Sequence, residues 1–205
     1  VQVKSSLYFA RKGYEVSALE LADANIAAFK KKLTPEDKID LVQGNALDLS
    51  RYADKSFDIV LLFGPLYHLK NDADKQKCIS EAKRVCKDGG KIFFAFISND
   101  FVFLTEFGYD VNYFSNGDYD KETFKLNDFP FVFHTVGAAR KLLADGGINI
   151  LHEVASDGAS ELLAARINEM SDEDYTQYLR YHFYICEKPE LLGMTNHLLF
   201  MGEKK

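Results

Sequence analysis

The sequence predicts an α/β domain built on a mostly parallel sheet with helices on both faces. Strand-like and helix-like segments alternate four times between residues 5 and 98, with short connections between them. The run FDIVLLF at 57–63 is almost continuously apolar, as expected of a strand that is buried on both faces of a parallel sheet. A chain of 205 residues also suits one domain with a sizeable core, so we predict a single domain over 1–205.

The first half of the chain supplies four predicted strands. Gly13 suits the end of a first helix, and a turn at 88–90 separates the third helix from the fourth strand. Cys78 and Cys86 fall on that third helix and are expected to face the core. The predicted strands are 14–20, 39–43, 57–63 and 91–98, and the predicted helices are 5–11, 23–33 and 75–86.

Residues 99–133 interrupt this alternation. The segment holds eleven aromatic residues and several acids, but it lacks the periodicity of a single helix. So many aromatic residues argue against disorder, and a connection of this length is typical of a lid or a binding segment. We therefore predict an aromatic-rich cap at 99–133; the alternative is that these residues only fill one end of the core.

The regular pattern resumes after the cap. Gly146 and Gly147 end a helix, and Ser171 has the character of an N-cap followed by first-turn acids. The predicted helices are 137–144, 159–170 and 174–186, and the predicted strands are 148–155 and 196–204.

Composition excludes several classes of function. The net charge of −6 argues against a nucleic-acid partner, because polyanion binding requires a basic surface. No apolar window is long enough for a membrane span, and no signal peptide opens the sequence. The three cysteines show no metal-binding spacing, so we expect no metal site and a reducing cytoplasmic location.

Four local patterns resemble the class I S-adenosylmethionine-dependent methyltransferases. GYEVSALEL, LVQGNALDL, FDIVLLFGPLYHL and EAKRVCKDGGKIFFAF are similar to the second, third, fourth and fifth strand regions of that family. The resemblance implies a Rossmann-like, doubly wound sheet. It also implies that HLLFMGEK forms an antiparallel last strand inserted between the fifth and sixth strands.

The same resemblance implies S-adenosylmethionine as cofactor. Glu20 would hold the ribose hydroxyls, since a carboxylate accepts hydrogen bonds from both of them. Asn45 stands where the family often has an acid, and its carbonyl oxygen can still accept from the adenine amino group. The cofactor-binding residues implied by the resemblance are Glu20, Leu21, Asn45, Ala46, Phe63 and Gly64.

The start of the sequence departs from the family pattern. The family's first strand and glycine-rich loop should precede SSLYFARKGYEV, and VQVK is neither. Glycine permits close backbone approach to a ligand that other residues obstruct. We interpret the departure as loss of that segment, with residues 1–3 as a remnant of the first strand; the alternative is a protein that does not bind the cofactor in the usual way.

The implied reaction is methyl transfer to a small-molecule acceptor. His68 is the candidate general base and Tyr67 the residue that orients the acceptor, although His68 could equally line the pocket or serve structure alone. With these two residues, Tyr113 and His134 complete the predicted acceptor pocket, and a structural role is the alternative for His134. His152, His182 and His197 are assigned to packing or to the surface.

Two other functions remain open on the sequence. Glu20 after a strand also fits ribose binding in a nicotinamide-dependent oxidoreductase, although the GxGxxG turn of such enzymes is missing too. A non-catalytic, methyltransferase-like binding module would explain the missing glycine loop. The sequence does not specify the acceptor, the atom methylated or the oligomeric state.

Overall fold

The computed structural model describes residues 2–205, and the predicted alternation of helices and strands is present in it. The strands are β1 Val16–Glu20, β2 Ile39–Gln43, β3 Phe57–Leu62, β4 Cys86–Ser98, β5 Phe133–His134, β6 Ile148–Ala155 and β7 His197–Lys204. The helices are α1 Gln2–Arg11, α2 Asp23–Lys30, α3 Asp72–Val85, α4 Asn99–Tyr109, α5 Tyr113–Asn116, α6 Val136–Asp145, α7 Ala164–Asn168 and α8 Asp172–Ile185.

The last strand is antiparallel and lies inside the larger sheet, as predicted. The order of this sheet is β3-β4-β7-β6; β3 runs parallel to β4, and β7 pairs antiparallel with both β4 and β6. The short strand β5 also pairs with β4, at Ile97 and Ser98, beyond the end of β3. The parallel-dominated sheet and its helices confirm the predicted fold class.

Instead of one continuous sheet, the described residues form two. β1 and β2 pair in parallel as a separate sheet, so β1 and β3 each have one unpaired edge within residues 2–205. Tyr52 spans the two sheets, because its hydroxyl lies 2.9 Å from Ser17 Oγ and its ring lies 5.1 Å from the ring of Phe57. These contacts join the amino-terminal part of β1 to the amino-terminal end of β3.

The expectation that residues 1–3 are a remnant of a strand is wrong for residues 2 and 3, which lie in a helix. Val3 lies in α1, while Val1 falls outside the described residues. No glycine interrupts α1, and its ten residues continue as one helix up to the turn before β1. Helical hydrogen bonding over this segment therefore replaces the extended backbone that we expected.

The main core lies between the larger sheet and helices α3 and α6. Along β7 every second residue faces this core, so Leu198 and Phe200 are buried, as the period of two in a strand requires. On α3 the buried positions Lys75, Cys78, Ile79 and Ala82 follow helical spacing. One of them is a lysine, which the sequence analysis did not single out.

The connection between α3 and β4 differs from the prediction. Cys86 is the first residue of β4 and not part of the helix, although it is buried as expected. The predicted turn at 88–90 is an irregularity inside β4: Phe57 pairs with Cys86 and Ile59 pairs with Lys91. Gly89 has a φ of 77°, a conformation that other residues rarely adopt, and this glycine permits the local distortion.

Hydrogen bonds from Arg84 connect the loop before β3 to the end of α3. Its guanidinium donates to both carboxylate oxygens of Glu81 at 2.8 and 2.9 Å, and also to Asp54 and to the carbonyl oxygens of Leu49 and Tyr52. Glu81 accepts a further hydrogen bond from the Leu49 amide at 2.7 Å. The planar guanidinium suits this arrangement, because its donors reach several acceptors at once.

Much of the aromatic segment is helical, contrary to the expected irregular connection. Ser98 caps α4 by accepting from the Phe101 amide at 3.3 Å. Asn99 is buried; its amide donates to the Phe124 carbonyl and its oxygen accepts from the Leu126 amide. The segment builds a small core of its own around Phe103, Tyr119 and Leu126.

His197 does more than pack or face solvent. Its Nδ1 lies 2.6 Å from Asp157 Oδ2, which joins the start of β7 to the loop after β6. The hydroxyl of Thr195 donates to the same carboxylate, and the His197 amide donates to Asp157 Oδ1 at 3.1 Å. The hydrogen bond to Asp157 raises the pKa of His197, and the Asp157 and Glu161 charges add to this effect.

We expect Phe200→Ala to destabilise the fold by about 3–5 kcal/mol, since a fully buried phenylalanine in a central strand would leave a cavity. The free energy of unfolding in urea measures this effect. Phe183→Ala is the matched control, because Phe183 is 72% exposed and its loss should cost less than about 0.5 kcal/mol. Equal losses in the two variants would contradict the central position of β7.

The His197–Asp157 pair should make stability depend on pH. The folded pKa of His197 is raised, so its contribution is complete below about pH 6.5 and is lost as the pH rises through the folded pKa. Burial disfavours ionised Asp157, but hydrogen bonds from His197 and Thr195 outweigh it and lower the pKa of Asp157, so this contribution is lost only in acid. His197→Asn should therefore cost about 0.5–1 kcal/mol at about pH 6 and less at about pH 9. A difference that grows with pH in urea unfolding would refute the assignment.

Candidate functional site

The candidate site lies at the carboxyl ends of β1, β2 and β3. In open α/β sheets this end holds the ligand crevice. Glu20 ends β1 opposite Gln43, which ends β2, and Gly64 follows β3 after one residue. The residues predicted from the sequence to hold a cofactor therefore share one end of the strands.

Glu20 is positioned by the turn that follows β1. One carboxylate oxygen accepts hydrogen bonds from the amides of Leu21 and Ala22, at 2.9 and 3.1 Å. The other oxygen has no partner among the described residues and is free to accept from a ligand hydroxyl. The Leu21 side chain is exposed beside it. This geometry suits the ribose-binding role that the resemblance implies.

The turn after β2 lies directly beside Glu20. The Gly44 amide donates to the Glu20 carbonyl at 3.0 Å, and a Cβ on Gly44 would come within 2.6 Å of Leu19. The Asn45 side-chain oxygen already accepts from the Leu47 amide at 3.0 Å. A carbonyl oxygen can accept a second hydrogen bond, so the expected contact with an adenine amino group stays a prediction. Ala46 packs against the main core.

β3 is followed by half-buried Phe63 and then by a tight 3₁₀ turn. Gly64 has a φ of 156°, which few other residues tolerate, and Pro65 starts the turn Pro65–Tyr67. The His68 amide completes the turn by donating to the Pro65 carbonyl at 3.0 Å. Backbone without a side chain therefore lies just beyond the strand end, and the aromatic side chains of Tyr67 and His68 follow after Pro65 and Leu66.

Tyr67 and His68 meet the end of the aromatic segment. The ring of Phe131 lies 6.0 Å from the ring of Tyr67 and 5.3 Å from that of His68. The backbone is joined as well, because the Val132 amide donates to the Tyr67 carbonyl at 2.9 Å. Burial raises the pKa of Tyr67, which stays protonated near neutral pH, whereas His68 is exposed.

His134, two residues after Val132, is buried. Its ring lies 5.0 Å from Phe96 in an edge-to-face arrangement, and neither ring nitrogen has a hydrogen-bond partner within residues 2–205. Burial, with the positive charges of Lys75 and Lys125, lowers the pKa of His134 to about 4, although the negative charge of Asp128 opposes this shift. The imidazole is therefore neutral at physiological pH.

The structure does not bring every predicted acceptor residue together. Tyr113 packs against Phe103 and Tyr119 in the small core of the aromatic segment, at 5.2 and 5.8 Å. None of its ring contacts among the described residues reaches Tyr67, His68 or Phe131. A role for Tyr113 in acceptor binding stays a prediction, and any such role would belong to the outer part of the segment.

Sequence reasoning missed two polar groups near this end of the sheet. Lys75 is buried on the core face of α3, and Asp157 holds His197. Lys75 could have been found from its helical spacing to Cys78 and Ile79, which places a cation on an apolar face. No local signal in the sequence pairs Asp157 with a residue forty positions away.

The described residues offer more groups that fit the ribose and adenine of the cofactor than groups that fit its methionine part. Glu20 and the Gly44 turn offer acceptors and close backbone for a ribose and an adenine. On the methionine side Gly64 is the one bare backbone position at the end of β3, and the helical residues 2–11 supply no glycine loop.

Two features are absent from residues 2–205. None of the helices there is both long and apolar enough to cross a lipid bilayer. Nor does any cluster of three or more His, Cys, Asp or Glu side chains in this part of the chain have the arrangement of a metal site.

Comparison with known proteins finds a family match in the first part of the chain. Residues 2–94 match the family described as "Methyltransferase domain". A demethylmenaquinone methyltransferase of Clavibacter sepedonicus is 32% identical over 108 residues, which are 52% of this chain and 42% of that protein. The match thus spans less than half the length of the curated relative.

Solved structures share the fold over nearly the whole chain. A protein of Pyrococcus horikoshii OT3 has a TM-score of 0.62 at 17% identity, covering 100% of this chain and 78% of its own. A SAM-dependent methyltransferase of Methanosarcina mazei has a TM-score of 0.60 at 17% identity, with coverages of 97% and 86%. Residues 2–94 thus match a methyltransferase family, and the chain has the fold of the SAM-dependent methyltransferases; the cofactor that these matches support is S-adenosylmethionine.

Proposed function

We propose that the protein binds S-adenosylmethionine and transfers its methyl group to a small-molecule acceptor. The observation that carries the proposal is Glu20, whose carboxylate keeps one oxygen free beside the Gly44 turn. Its place at the end of β1 agrees with the family match of residues 2–94 and with the role that the resemblance assigns to it. The demethylmenaquinone methyltransferase relative supports the reaction type and leaves the acceptor open.

The chain's own residues would hold and align the two substrates. A methyl group on a sulfonium ion is already reactive, so the protein mainly sets donor and acceptor in line and excludes water. Glu20 and Asn45 would hold the nucleoside, while the bare backbone of Gly64 would lie close to the methionine part. Tyr67 would orient the acceptor, and His68 would accept a proton where the acceptor carries one.

The aromatic segment 99–133 is proposed as the cap of this site. Its start follows β4 and its end touches Tyr67 and His68 through Phe131, so both its ends lie at the carboxyl end of the strands. Apolar walls with few polar groups are typical of small-molecule pockets. The negative charge of the chain favours such an acceptor over nucleic acid.

A cytoplasmic setting is part of the proposal. The three cysteines are buried, unpaired thiols, which is usual in a reducing compartment.

A non-catalytic binding module is the second candidate function. The observation that favours it is the free carboxylate oxygen of Glu20, which would hold a nucleoside whether or not a methyl group is then transferred. Calorimetry of the chain with S-adenosylhomocysteine and with NAD, followed by a methyl-transfer assay on a panel of phenols and hydroquinones, separates the candidates. Binding of S-adenosylhomocysteine with turnover supports the enzyme, and binding without turnover supports the module. Preference for NAD would refute both.

We expect Glu20→Ala to weaken S-adenosylhomocysteine binding by about 1–3 kcal/mol, which is about five- to 150-fold in Kd, because a charged acceptor of the ribose hydroxyls is lost. Calorimetric titration measures the change. Glu15→Ala removes an equally charged, exposed side chain just before β1 and should leave Kd unaltered. An unchanged Kd for Glu20→Ala would remove this residue from the site.

Phe131→Ala should reduce methyl transfer about tenfold or more while S-adenosylhomocysteine binding is preserved, because the ring lies against Tyr67 and His68, away from the nucleoside. Steady-state turnover and calorimetry give the two quantities. Phe129→Ala is the matched control, since Phe129 belongs to the same segment and is 78% exposed. Similar turnover in both variants would argue against a cap that shapes the acceptor site.

A further inference from the structure

The helix α8 lies on the surface and turns one side to the solvent. None of its fourteen residues is buried. Its inner side is marked by His182, because a Cβ on Gly158 would come within 3.3 Å of the His182 ring. Successive residues of a helix are about 100° apart, so Arg180 and Tyr184 lie on the side opposite His182. Both are exposed, and the large aromatic residue Tyr184 is 67% exposed.

Six residues form one stripe along this outer side. Their separations are four, three, one, three and four residues, which follow the helical repeat and read the same in either direction. Lys188 follows the helix, but its Nζ lies 3.5 Å from the centre of the Tyr184 ring, which places the ammonium at the end of the stripe. The outer stripe consists of Glu173, Gln177, Arg180, Tyr181, Tyr184 and Lys188.

The outer stripe has opposite charges at its two ends and aromatic rings between them. Glu173 belongs to the acidic first turn of α8, and Lys188 lies beyond the last turn. Near the middle, Arg180 Nη1 donates to Gln177 Oε1 at 3.1 Å, which leaves further donors of the guanidinium free to face outward. Tyr181 beside it is 57% exposed. Exposed aromatic side chains in a continuous row are typical of an interaction surface.

A second copy of the outer stripe complements the first when the two helices are antiparallel. About a twofold axis between positions 180 and 181, residues equally far from the centre face one another. These contacts provide an ion pair, a hydrogen bond from a hydroxyl to an amide oxygen, and a guanidinium over an aromatic ring. The facing pairs are Glu173 with Lys188, Gln177 with Tyr184, and Arg180 with Tyr181.

We propose that α8 is a self-association surface, through which two copies of this chain pair antiparallel about a twofold axis. The antiparallel arrangement also sets the negative end of each helix dipole beside the positive end of the other. A parallel arrangement would instead put like charges together at each end. The inference does not depend on the proposed methyl transfer.

The size of the surface sets the expected strength of the dimer. The helix is about 21 Å long, so one pair of helices buries less than the roughly 800 Å² per partner of a standard interface. We therefore expect a Kd of about 10–100 µM. The dimer should weaken as the salt concentration rises, because its two ion pairs are exposed to solvent.

Analytical ultracentrifugation of the whole chain from about 2 to about 200 µM tests the inference. Glu173→Lys and Lys188→Glu should each weaken self-association about tenfold or more, because the twofold axis makes every like-charge contact occur twice. The double variant Glu173→Lys/Lys188→Glu should self-associate again. An equimolar mixture of the two single variants should form heterodimers, since opposite charges meet at both ends of the stripe in that pair.

Two control variants separate this surface from other causes of association. Asp172→Lys reverses a charge in the same first turn, but Asp172 lies about 100° around the helix from Glu173. Phe183→Ala removes an aromatic ring that is 72% exposed and lies beside the outer stripe, where it would matter for unspecific apolar association. We expect each control to change Kd by less than about twofold.

Several outcomes would overturn the inference. A monomer over the whole concentration range would do so, and so would a double variant that stays monomeric. Loss of the dimer in Phe183→Ala but not in Glu173→Lys would assign association to another surface. A monomer that binds phosphatidylcholine vesicles would give the outer stripe a lipid partner instead. If circular dichroism shows that a single variant loses helix, the double variant and Asp172→Lys decide.

Discussion

The central constraint on this structure is the pairing of β4. Its thirteen residues pair with β3 and β5 on one edge and with β7 on the other. Both faces of such a strand require apolar side chains, and the buried residues Ile92, Phe94 and Phe96 supply the face toward α3 and α6. The end of β4 also fixes Ser98, which caps α4, and therefore sets where the aromatic segment leaves the sheet.

The same strand accounts for the placement of the candidate site. Because β3 is parallel to β4, the turn with Tyr67 and His68 emerges at the end where α4 begins. β5 then returns the chain to β4, which brings Phe131 against that turn and buries His134. The residues of the candidate site thus come from segments far apart in sequence, and one strand aligns them.

Periodicity and strand order were predictable, and non-local pairing was not. The alternation of β7 and the end of β1 at Glu20 follow from local patterns, because side-chain period and turn chemistry act over a few residues. The separation of β1 from β3 and the two-residue strand β5 depend on partners distant in sequence. The helix α4 escaped detection because its buried residues pack against a second, small core that has no sequence period of its own. Among the candidate-site residues, Glu20 and Tyr67 were identifiable by their places at and just beyond a strand end, and Lys75 could have been found from its helical spacing to Cys78 and Ile79.

Within residues 2–205, the unpaired edges of β1 and β3 bear on association between molecules. An open edge presents free amide and carbonyl groups, which can template pairing with other extended chains. On β3 the exposed Ile59 increases this hazard, and Asp58 next to it, held by Lys87 at 2.8 Å, puts a charge pair at the start of the edge. Charge at these positions disfavours edge-to-edge pairing of strands from two molecules. Resistance to such association therefore depends in part on the charged side chains of Asp58 and Lys87 at the edge of β3.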